Sequence, residues 1–334
     1  MRITEHSRLK DFNTFGIDAH ADCIVEWSSV QELQAILPEL AMPLLPIGQG
    51  SNLLFMNDFH GTILKSAIQS VDILNKSGDY VFVRVGSGMI WDDFVSLAVM
   101  KGWWGVENLT AIPGQVGAAA VQNIGAYGAE AKDVIETVQT ICLADGSTRD
   151  FNVSECGYAY RQSIFKKELN HRYAVSHVIF KLGLKPAPKL GYGALEQEVM
   201  RLGEPTLNNI SIAVRNIRDS KLPDPAVLGN AGSFFMNPVI PSSQYESLKE
   251  AYPDMPSYPA GNDMVKVPAG WLIDHAGWKG RALGPAAVYE RQALVLVNTG
   301  GATGQDIKAL ADAIIADVRD KYSITLSTEV NYIV

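Results

Sequence analysis

The sequence predicts a two-domain protein that mixes helices and strands. Its 334 residues are about twice the length of an average domain. Stretches with helical spacing, at 28–40, 90–100 and 303–321, are separated by strand-like runs such as the period-two pattern at 81–85. The segment 221–225 reads Lys-Leu-Pro-Asp-Pro, and its two prolines end any helix, so we place a domain boundary there.

The same patterns predict the remaining elements. A serine cap opens the first helix, and Thr303 caps the helix at 303–321. The terminal run 324–334 alternates with period two, and we expect it to join a sheet of the first domain. The stretch 194–220 is predicted to be helical. The other predicted strands lie at 62–64, 71–74, 134–143, 173–182 and 293–297.

Composition and charge exclude several classes of protein. Apolar residues make up 47% of the chain and charged residues 19%, which indicates a globular protein. The 28 basic and 36 acidic residues give a net charge of −8, which argues against a general nucleic-acid binder. No apolar run is long enough for a membrane span, and the first 15 residues resemble no secretory signal. We therefore expect a cytoplasmic protein that binds neither nucleic acid nor membrane.

The sequence predicts neither disulfides nor a metal site. Cys23, Cys142 and Cys156 are odd in number, far apart and not arranged as CxxC, so a disulfide framework or a zinc site is not expected. The six histidines form no helical ligand pair such as HExxH.

Two segments rich in small residues are the most informative part of the chain. Gly48-Gln-Gly50 lies between two apolar runs, and 105–128 contains five glycines, five alanines and a single charge, at Glu107. Neither segment fits the Rossmann fingerprint, and the chain contains no P-loop or GxSxG motif. Turns of this kind can direct successive N–H groups at a phosphate. The small residues indicate either tight backbone packing or a site for an extended diphosphate ligand with a planar ring.

Three positions offer acid–base or charge-stabilising groups. Arg161 follows Tyr160 in a polar segment, Ser233 stands between Gly232 and two phenylalanines, and Glu329 lies in the terminal strand. Each also has a structural interpretation: a salt-bridged arginine, a turn serine bonded to backbone, and a solvent-facing strand carboxylate. Reasoning from the residues alone ends at a two-domain α/β protein, for which an enzyme that binds a dinucleotide is one interpretation.

Several motifs, in order along nearly the whole chain, resemble the UDP-N-acetylenolpyruvoylglucosamine reductase family. The most specific are Gln122-Asn-Ile-Gly-Ala-Tyr-Gly128 and Gly229-Asn-Ala-Gly-Ser-Phe-Phe235. The others include Asn13-Thr-Phe-Gly-Ile17, Gly48-Gln-Gly-Ser-Asn52, Glu107-Asn-Leu109, Ile112-Pro-Gly114, Ser163-Ile-Phe165 and Ala269-Gly-Trp-Leu-Ile-Asp274. The loop Leu190-Gly-Tyr-Gly193 is similar to the tyrosine loop of the family's first structural type.

The resemblance implies an α+β fold. An FAD-binding domain of the vanillyl-alcohol-oxidase class would consist of two parts, residues 1–70 and 71–222, with the strand 324–334 returning to the first part. A smaller α/β substrate-binding domain would occupy residues 223–323.

The resemblance also implies FAD as cofactor and NADPH as hydride donor. The two segments rich in small residues would wrap the FAD diphosphate and ring, since bulky side chains would keep the backbone away from the cofactor. The implied cofactor-binding residues are Gly48, Gly50, Ser51, Asn52, Leu53, Ile112, Pro113, Gly114, Gly117, Ala118, Gln122, Asn123, Gly125, Ala126 and Tyr127.

The implied substrate is UDP-N-acetylglucosamine enolpyruvate, with no obligate protein partner. Ser233 would donate a proton to the α-carbon. Arg161 would stabilise negative charge on the enolpyruvyl group, as would Glu329 if it is protonated or acts through a bonded partner. The implied substrate-binding residues are Tyr160, Tyr192, Lys221, Asn237 and Tyr258.

Two departures from the family pattern bear on these roles. Ala118-Ala-Ala120 offers no hydroxyl to a phosphate, and Asn331 stands where relatives often carry arginine, as a partner for Glu329. Two alternatives to the implied activity are a flavin oxidase with the same cofactor fold and a non-enzymatic protein that binds nucleotide sugars.

Overall fold

The computed structural model describes all 334 residues and divides them into two compact units. Unit 1 comprises Met1–Ser7, Ala21–Gln49 and His60–Ser220, and unit 2 comprises Arg8–His20, Gly50–Phe59 and Lys221–Val334. The division predicted from the sequence, at residues 70 and 222, stays a prediction. No helix is long and apolar enough to cross a membrane.

A four-stranded sheet and a short helix form one layer of unit 1. The sheet has the order β1 (Arg2–Arg8), β2 (His20–Trp27), β5 (Phe59–Ser66) and β3 (Leu44–Ile47). Ser29 caps α1 (Val30–Ile36) by accepting a hydrogen bond from the N–H of Glu32, which confirms the predicted serine cap. Leu33 is the buried residue of this helix and packs with Trp27 and Leu64.

A five-stranded antiparallel sheet forms the main core of unit 1. Its order is β11 (Thr148–Asn152), β10 (Ile135–Cys142), β12 (Tyr173–Gly183), β7 (Tyr80–Gly86) and β6 (Val71–Ser77). The predicted period-two strand is confirmed, because Val81, Val83 and Val85 are all buried. The sequence analysis missed β11, a short exposed strand with one buried residue, Phe151.

Helices cover this core. Trp91 and Phe94 of α2 (Trp91–Lys101) belong to the cluster of buried residues that also contains Val116 and Ala120 of α3 (Val116–Gln122). A short hairpin follows α3, with strands β8 (Gly125–Ala126) and β9 (Ala129–Glu130).

The predicted helical stretch 194–220 forms two helices. These are α4 (Leu195–Leu202) and α5 (Leu207–Lys221), whose apolar faces share one cluster with Trp104.

Unit 2 contains an antiparallel sheet with a long helix against it. The sheet order is β13 (Gly229–Ser233), β19 (Val295–Asn298), β18 (Ala286–Val288) and β17 (Ala282–Leu283), and α8 (Gly304–Tyr322) packs on it. Thr303 caps α8 as predicted. Its hydroxyl accepts from the Asp306 N–H at 3.2 Å, and its own N–H donates to the Asp306 carboxylate at 2.8 Å.

The rest of unit 2 consists of a small sheet, two helices and one pair of strands. The small sheet has the order β14 (Val239–Pro241), β16 (Met264–Lys266) and β15 (Tyr258–Pro259), with α6 (Ser242–Ala251) and α7 (Ala269–His275) nearby in the chain. The C-terminal strand β20 (Asn331–Ile333) pairs in parallel with β4 (Leu53–Phe55). It is shorter than the predicted 324–334, because only these three residues have a partner strand.

Candidate active site

The two segments rich in small residues meet within unit 1. The Gln49 side-chain oxygen Oε1 accepts a hydrogen bond from the Gly114 N–H at 3.0 Å. A Cβ atom on Gly48 would lie 3.1 Å from the Cβ of Ala118, which is closer than most real contacts of this kind. Residues more than sixty positions apart in the chain are thus held together, and larger side chains at Gly48 or Ala118 would separate them.

Backbone donors in the first of these segments fit an anionic ligand. The N–H groups of Gln49 and Gly50 donate to no acceptor in the protein, although Gly50 is buried. Gly50 adopts a left-handed conformation, with φ +67°. Consecutive free N–H groups in such a turn suit a phosphate, because buried donors require a partner. The residues present therefore fit the diphosphate of FAD.

Gly50→Ala is expected to destabilise the protein by about 3–5 kcal/mol, because a Cβ there would lie 2.1 Å from the Phe12 carbonyl oxygen. The matched control is Gly16→Ala, since Gly16 has nearly the same φ of +65° but no atom within 4 Å of the added Cβ. Its expected cost is only about 1–2 kcal/mol, the cost of left-handed backbone. Urea unfolding of both variants checks this, and equal losses would contradict the steric argument.

The glycines and asparagine around α3 also have structural roles. A Cβ on Gly117 would lie 2.7 Å from the Cβ of Ser87, so this glycine permits close packing inside unit 1. The Asn123 side chain is fully buried and donates to the Glu130 carboxylate and the Ala159 carbonyl, while its oxygen accepts from the Lys132 N–H. Protein groups thus bond both polar atoms of the Asn123 side chain, so this residue has a structural role at the end of α3.

Arg161 is held in a strained conformation against the hairpin that follows α3. Its φ is +56°, which is unusual for a residue other than glycine and is typical of functional sites. One guanidinium nitrogen, Nη2, donates to the Gly125 carbonyl at 2.7 Å, and the guanidinium lies 5.3 Å from the centre of the Tyr160 ring. Unit 1 therefore brings together three residues to which the family resemblance gives roles. Arg161 is the implied catalytic residue, Tyr160 is implied to bind substrate and Gly125 to bind the cofactor.

Two tyrosines lie side by side in the same unit. The rings of Tyr127 and Tyr192 meet edge to face with centres 6.2 Å apart. Tyr192 is 54% exposed, whereas burial raises the pKa of the Tyr127 phenol. The predicted tyrosine loop thus lies over a predicted cofactor-binding residue.

Glu107 lies in the same small-residue stretch and is a buried carboxylate. It is 2% exposed, and its oxygen Oε2 accepts from the Gly105 N–H at 2.6 Å. Burial is the main cause that raises the pKa of Glu107, since desolvation disfavours the charged form.

Glu107→Gln is expected to become progressively more favourable than wild type as the pH rises above the ordinary pKa of a glutamate. With its pKa raised on folding, the native wild-type protein binds more protons than the unfolded chain, so its free energy of unfolding falls with rising pH. Denaturant unfolding across this pH range measures the trend. The control is Glu136→Gln, at an exposed position on β10, and a pH-independent difference for Glu107→Gln would contradict the argument.

Ser233 lies at an irregularity of β13 in unit 2. The pairing with β19 shifts between Asn230 and Ser233, where Gly232 has φ +67° and its N–H donates to the Asn230 side chain at 2.9 Å. Such bulges redirect side chains and are common beside active sites. The buried Phe234 and Phe235 that follow anchor this turn in the core.

Glu329 lies next to the Ser233 segment. The Glu329 N–H donates to the Phe234 carbonyl at 2.8 Å, and Phe235 and Thr328 form an antiparallel bridge. The Asn52 side chain donates to the Glu329 carbonyl at 3.1 Å. Unit 2 therefore brings together Ser233, Glu329 and Asn52.

Asn331 has a structural role beside this group. Its side chain donates to the Asn52 carbonyl at 3.2 Å, and its N–H donates to the same oxygen at 3.1 Å. Asn331 thus connects β20 to the residue before β4.

The predicted substrate-binding residues of unit 2 lie around the small sheet. Asn237 precedes β14, and its oxygen accepts from the Ala269 N–H at 2.9 Å. Tyr258 of β15 is 52% exposed and pairs with Lys266 of β16, which also pairs with Val239 of β14. Lys221 is exposed at the end of α5. The sequence analysis missed Lys266, which lies on β16, the central strand of this small sheet. A basic residue at this position suits an anionic substrate.

The convergence of Arg161 with Ser233 and Glu329 stays a prediction, as do the roles of all the candidate residues. The three cysteines are free, and no group of three or more His, Cys, Asp or Glu side chains could hold a metal ion.

Family models match both parts of the chain. Residues 21–152 match an FAD-binding domain, and residues 224–333 match the C-terminal domain of UDP-N-acetylenolpyruvoylglucosamine reductase. The reductase of Bacteroides fragilis is 50% identical over 97% of this chain and 98% of its own length.

The chain belongs to this reductase family.

Other members of the reductase family agree with this assignment. The Porphyromonas gingivalis reductase is 47% identical over the full length of both chains, and the Pseudomonas aeruginosa reductase is 44% identical over 99% of each. The crystal structure of the Thermus caldophilus reductase superposes on this protein with a TM-score of 0.71 and 25% sequence identity. The match covers 99% of each chain. The predicted fold class is therefore confirmed: an α+β protein with an FAD-binding domain of the vanillyl-alcohol-oxidase class and a reductase C-terminal domain.

Proposed function

We propose that this protein is a UDP-N-acetylmuramate dehydrogenase. It uses FAD and NADPH to reduce the enolpyruvyl ether of UDP-N-acetylglucosamine, which yields UDP-N-acetylmuramate for peptidoglycan. The observation that carries the proposal is the 50% identity to the Bacteroides fragilis reductase over nearly the whole chain. The adjacency of Ser233 and Glu329 on hydrogen-bonded segments is further support. We place the reaction in the cytoplasm, where NADPH and nucleotide sugars are made.

The cofactor would be held by the segments that meet in unit 1 and by the residues that follow them in the chain. Bound FAD would supply hydride transfer from NADPH to the β-carbon of the substrate. The free N–H groups of Gln49 and Gly50 would hold its diphosphate, while Gly125 and Tyr127 would contact its ring. These roles are supported by the contacts between Gln49 and Gly114 and between Gly125 and Arg161.

The protein's own groups then manage charge and protons. Hydride addition at the β-carbon leaves negative charge on the α-carbon and the carboxylate. Arg161 stabilises this charge directly, and Glu329 contributes as a neutral acid that donates a hydrogen bond or through a bonded partner. Ser233 donates its hydroxyl proton to the α-carbon, which completes the saturated product. The bulge at Gly232 supports this role, because it redirects the Ser233 side chain.

Five residues are assigned to substrate recognition. They are Tyr160, Tyr192, Lys221, Asn237 and Tyr258. A lysine and several tyrosines suit a nucleoside diphosphate sugar, since they combine positive charge with flat, partly polar surfaces.

A visible spectrum followed by anaerobic additions tests the proposal. We expect a yellow protein whose flavin absorbance is bleached by NADPH and restored by the enolpyruvyl sugar nucleotide, with UDP-N-acetylmuramate as product. A colourless protein that binds the sugar nucleotide would indicate a non-enzymatic binding protein. A yellow protein that oxidises NADPH only with oxygen, without acceleration by the sugar nucleotide, would indicate a flavin oxidase.

A further inference from the structure

Asn108 is a buried asparagine whose side-chain amide bonds two carbonyl groups that are far apart in the chain. Its nitrogen Nδ2 donates to the Tyr127 carbonyl and to the Lys189 carbonyl, each at 2.8 Å. Only 2% of the residue is exposed, and its buried oxygen Oδ1 accepts no hydrogen bond from the protein. A buried acceptor without a donor is unfavourable, so the two bonds from Nδ2 determine which way the amide faces.

The two carbonyls belong to segments that carry predicted site residues. Tyr127 is a predicted cofactor-binding residue in the turn between β8 and β9, where its φ is +47°. Lys189 directly precedes the tyrosine loop, Leu190-Gly-Tyr-Gly193. One amide therefore connects the base of the tyrosine loop to the turn whose Tyr127 ring meets the Tyr192 ring.

A second contact of Lys189 is weaker than the bond from Asn108. The Lys189 ammonium forms an ion pair with the Asp133 carboxylate at 2.9 Å, but both side chains are partly exposed. Such exposed pairs contribute little, because water and salt screen the two charges. A hydrogen bond from a buried amide is stronger in its low-dielectric surroundings. The position of the Lys189 backbone therefore depends mainly on Asn108.

The tyrosine loop has few contacts beyond this point. Leu190 packs against the apolar cluster of α4 and α5, and its carbonyl accepts from the Tyr192 N–H at 2.8 Å, within the loop. Cβ atoms added to Gly191 and Gly193 would meet nothing within 4 Å, so packing does not restrain the backbone on either side of Tyr192. The position of the Tyr192 ring therefore depends on where the loop begins, at Lys189.

We propose that Asn108 is a positioning residue for substrate recognition, which holds the base of the tyrosine loop so that Tyr192 lies where the sugar nucleotide binds. The inference rests on the proposed function, in which Tyr192 is assigned to the substrate. Because Asn108 is buried, it acts through the loop and not by touching the substrate. Its loss is therefore expected to affect KM for the enolpyruvyl sugar nucleotide more than the rate at which NADPH reduces FAD.

Steady-state kinetics of the holoenzyme and its variants test this proposal. Asn108→Leu keeps a side chain of similar size and removes both donors. We expect it to raise KM for the enolpyruvyl sugar nucleotide about tenfold, with kcat and the rate of FAD reduction by NADPH close to wild type. The matched control is Asn209→Ala, since the Asn209 amide also donates to two carbonyls, those of Leu202 and Glu204, in the segment between α4 and α5. Its KM should match wild type.

Tyr192→Ala supplies a readout that a merely structural role of Asn108 would not change. If Asn108 acts through the tyrosine loop, Asn108→Leu should raise KM little further once Tyr192→Ala has removed the ring. If Asn108 supported the fold in general, the two increases in KM would multiply in the double variant.

Backbone hydrogen exchange, measured by mass spectrometry without substrate, tests the anchor by itself. We expect residues 189–194 to exchange about tenfold faster in Asn108→Leu, because the base of the loop then opens more often, while strand β7 exchanges as in wild type. Asn209→Ala should leave both segments unchanged. If Asn108→Leu does not fold, Asn108→Ala carries the same expectations.

The proposal is wrong if KM or the exchange of residues 189–194 stays at the wild-type value in Asn108→Leu, or if the two increases in KM multiply. It is also wrong if neither Asn108→Leu nor Asn108→Ala folds with FAD bound, since the role of Asn108 is then structural. A wild-type protein that does not reduce the enolpyruvyl sugar nucleotide would instead refute the proposed function, and the exchange of residues 189–194 would still test the anchor.

Discussion

Ser233→Ala is expected to slow turnover by about 10²–10⁴-fold, the range for a positioned general acid. The reduction of FAD by NADPH should proceed at the wild-type rate, because that step requires no proton from Ser233. Hydride transfer to the enolpyruvyl group should be impaired, since charge on the α-carbon then has no proton donor. Anaerobic stopped-flow measurement of flavin absorbance separates the two half-reactions.

Ser327→Ala is the matched control for this variant. Ser327 is an exposed serine beside Met236. Its backbone carbonyl accepts a hydrogen bond from the Met236 N–H, and its side chain takes no part in that bond. We expect wild-type rates in both half-reactions. If Ser233→Ala slowed both half-reactions equally, the proton-donor role would be wrong and a structural role for Ser233 would replace it.

Arg161→Met is expected to lower kcat/KM for the enolpyruvyl substrate by about 10²–10³-fold, as for the loss of one preorganised donor to developing charge. Arg161→Lys should recover little activity, because an ammonium cannot bond the Gly125 carbonyl and a carboxylate in one planar fork. Steady-state kinetics with varied substrate, alongside anaerobic reduction by NADPH, measures the effect on each step.

Arg149→Met provides the comparison for Arg161. Arg149 is an exposed arginine that pairs with Glu155 at 3.4 Å and lies over the Phe151 ring, so its loss removes one positive charge from the same unit. We expect little change in kcat/KM. Equal losses in the two variants would show that net charge, rather than the position of Arg161, determines the rate.

Local patterns predicted much of the fold. The alternating valines of β7 and the capping box of Thr303 are short-range signals, and both are present in the structure. The extent of β20 could not be predicted, because alternation begins at Ile324, whereas Thr328 forms only an isolated bridge and the paired strand begins at Asn331. Pairing across 277 residues, as between Asn52 and Glu329, has no local signal.

The candidate site was predicted less completely than the fold. Motifs identified Arg161, Ser233 and Glu329 as candidates, but only the structure shows that the Asn123 side chain forms three hydrogen bonds with protein groups. Lys266 was missed because its short strand lies among loops.

The discontinuous composition of unit 2 has a consequence for synthesis on the ribosome. Arg8–His20 and Gly50–Phe59 emerge early, but most of their unit, Lys221–Val334, follows more than 160 residues later. Unit 1 has no segment beyond Ser220 and can become compact while translation continues. These two early segments, the second of which contains β4, therefore lack most of their unit until β20 has been synthesised. During that interval they are exposed to chaperones and proteases.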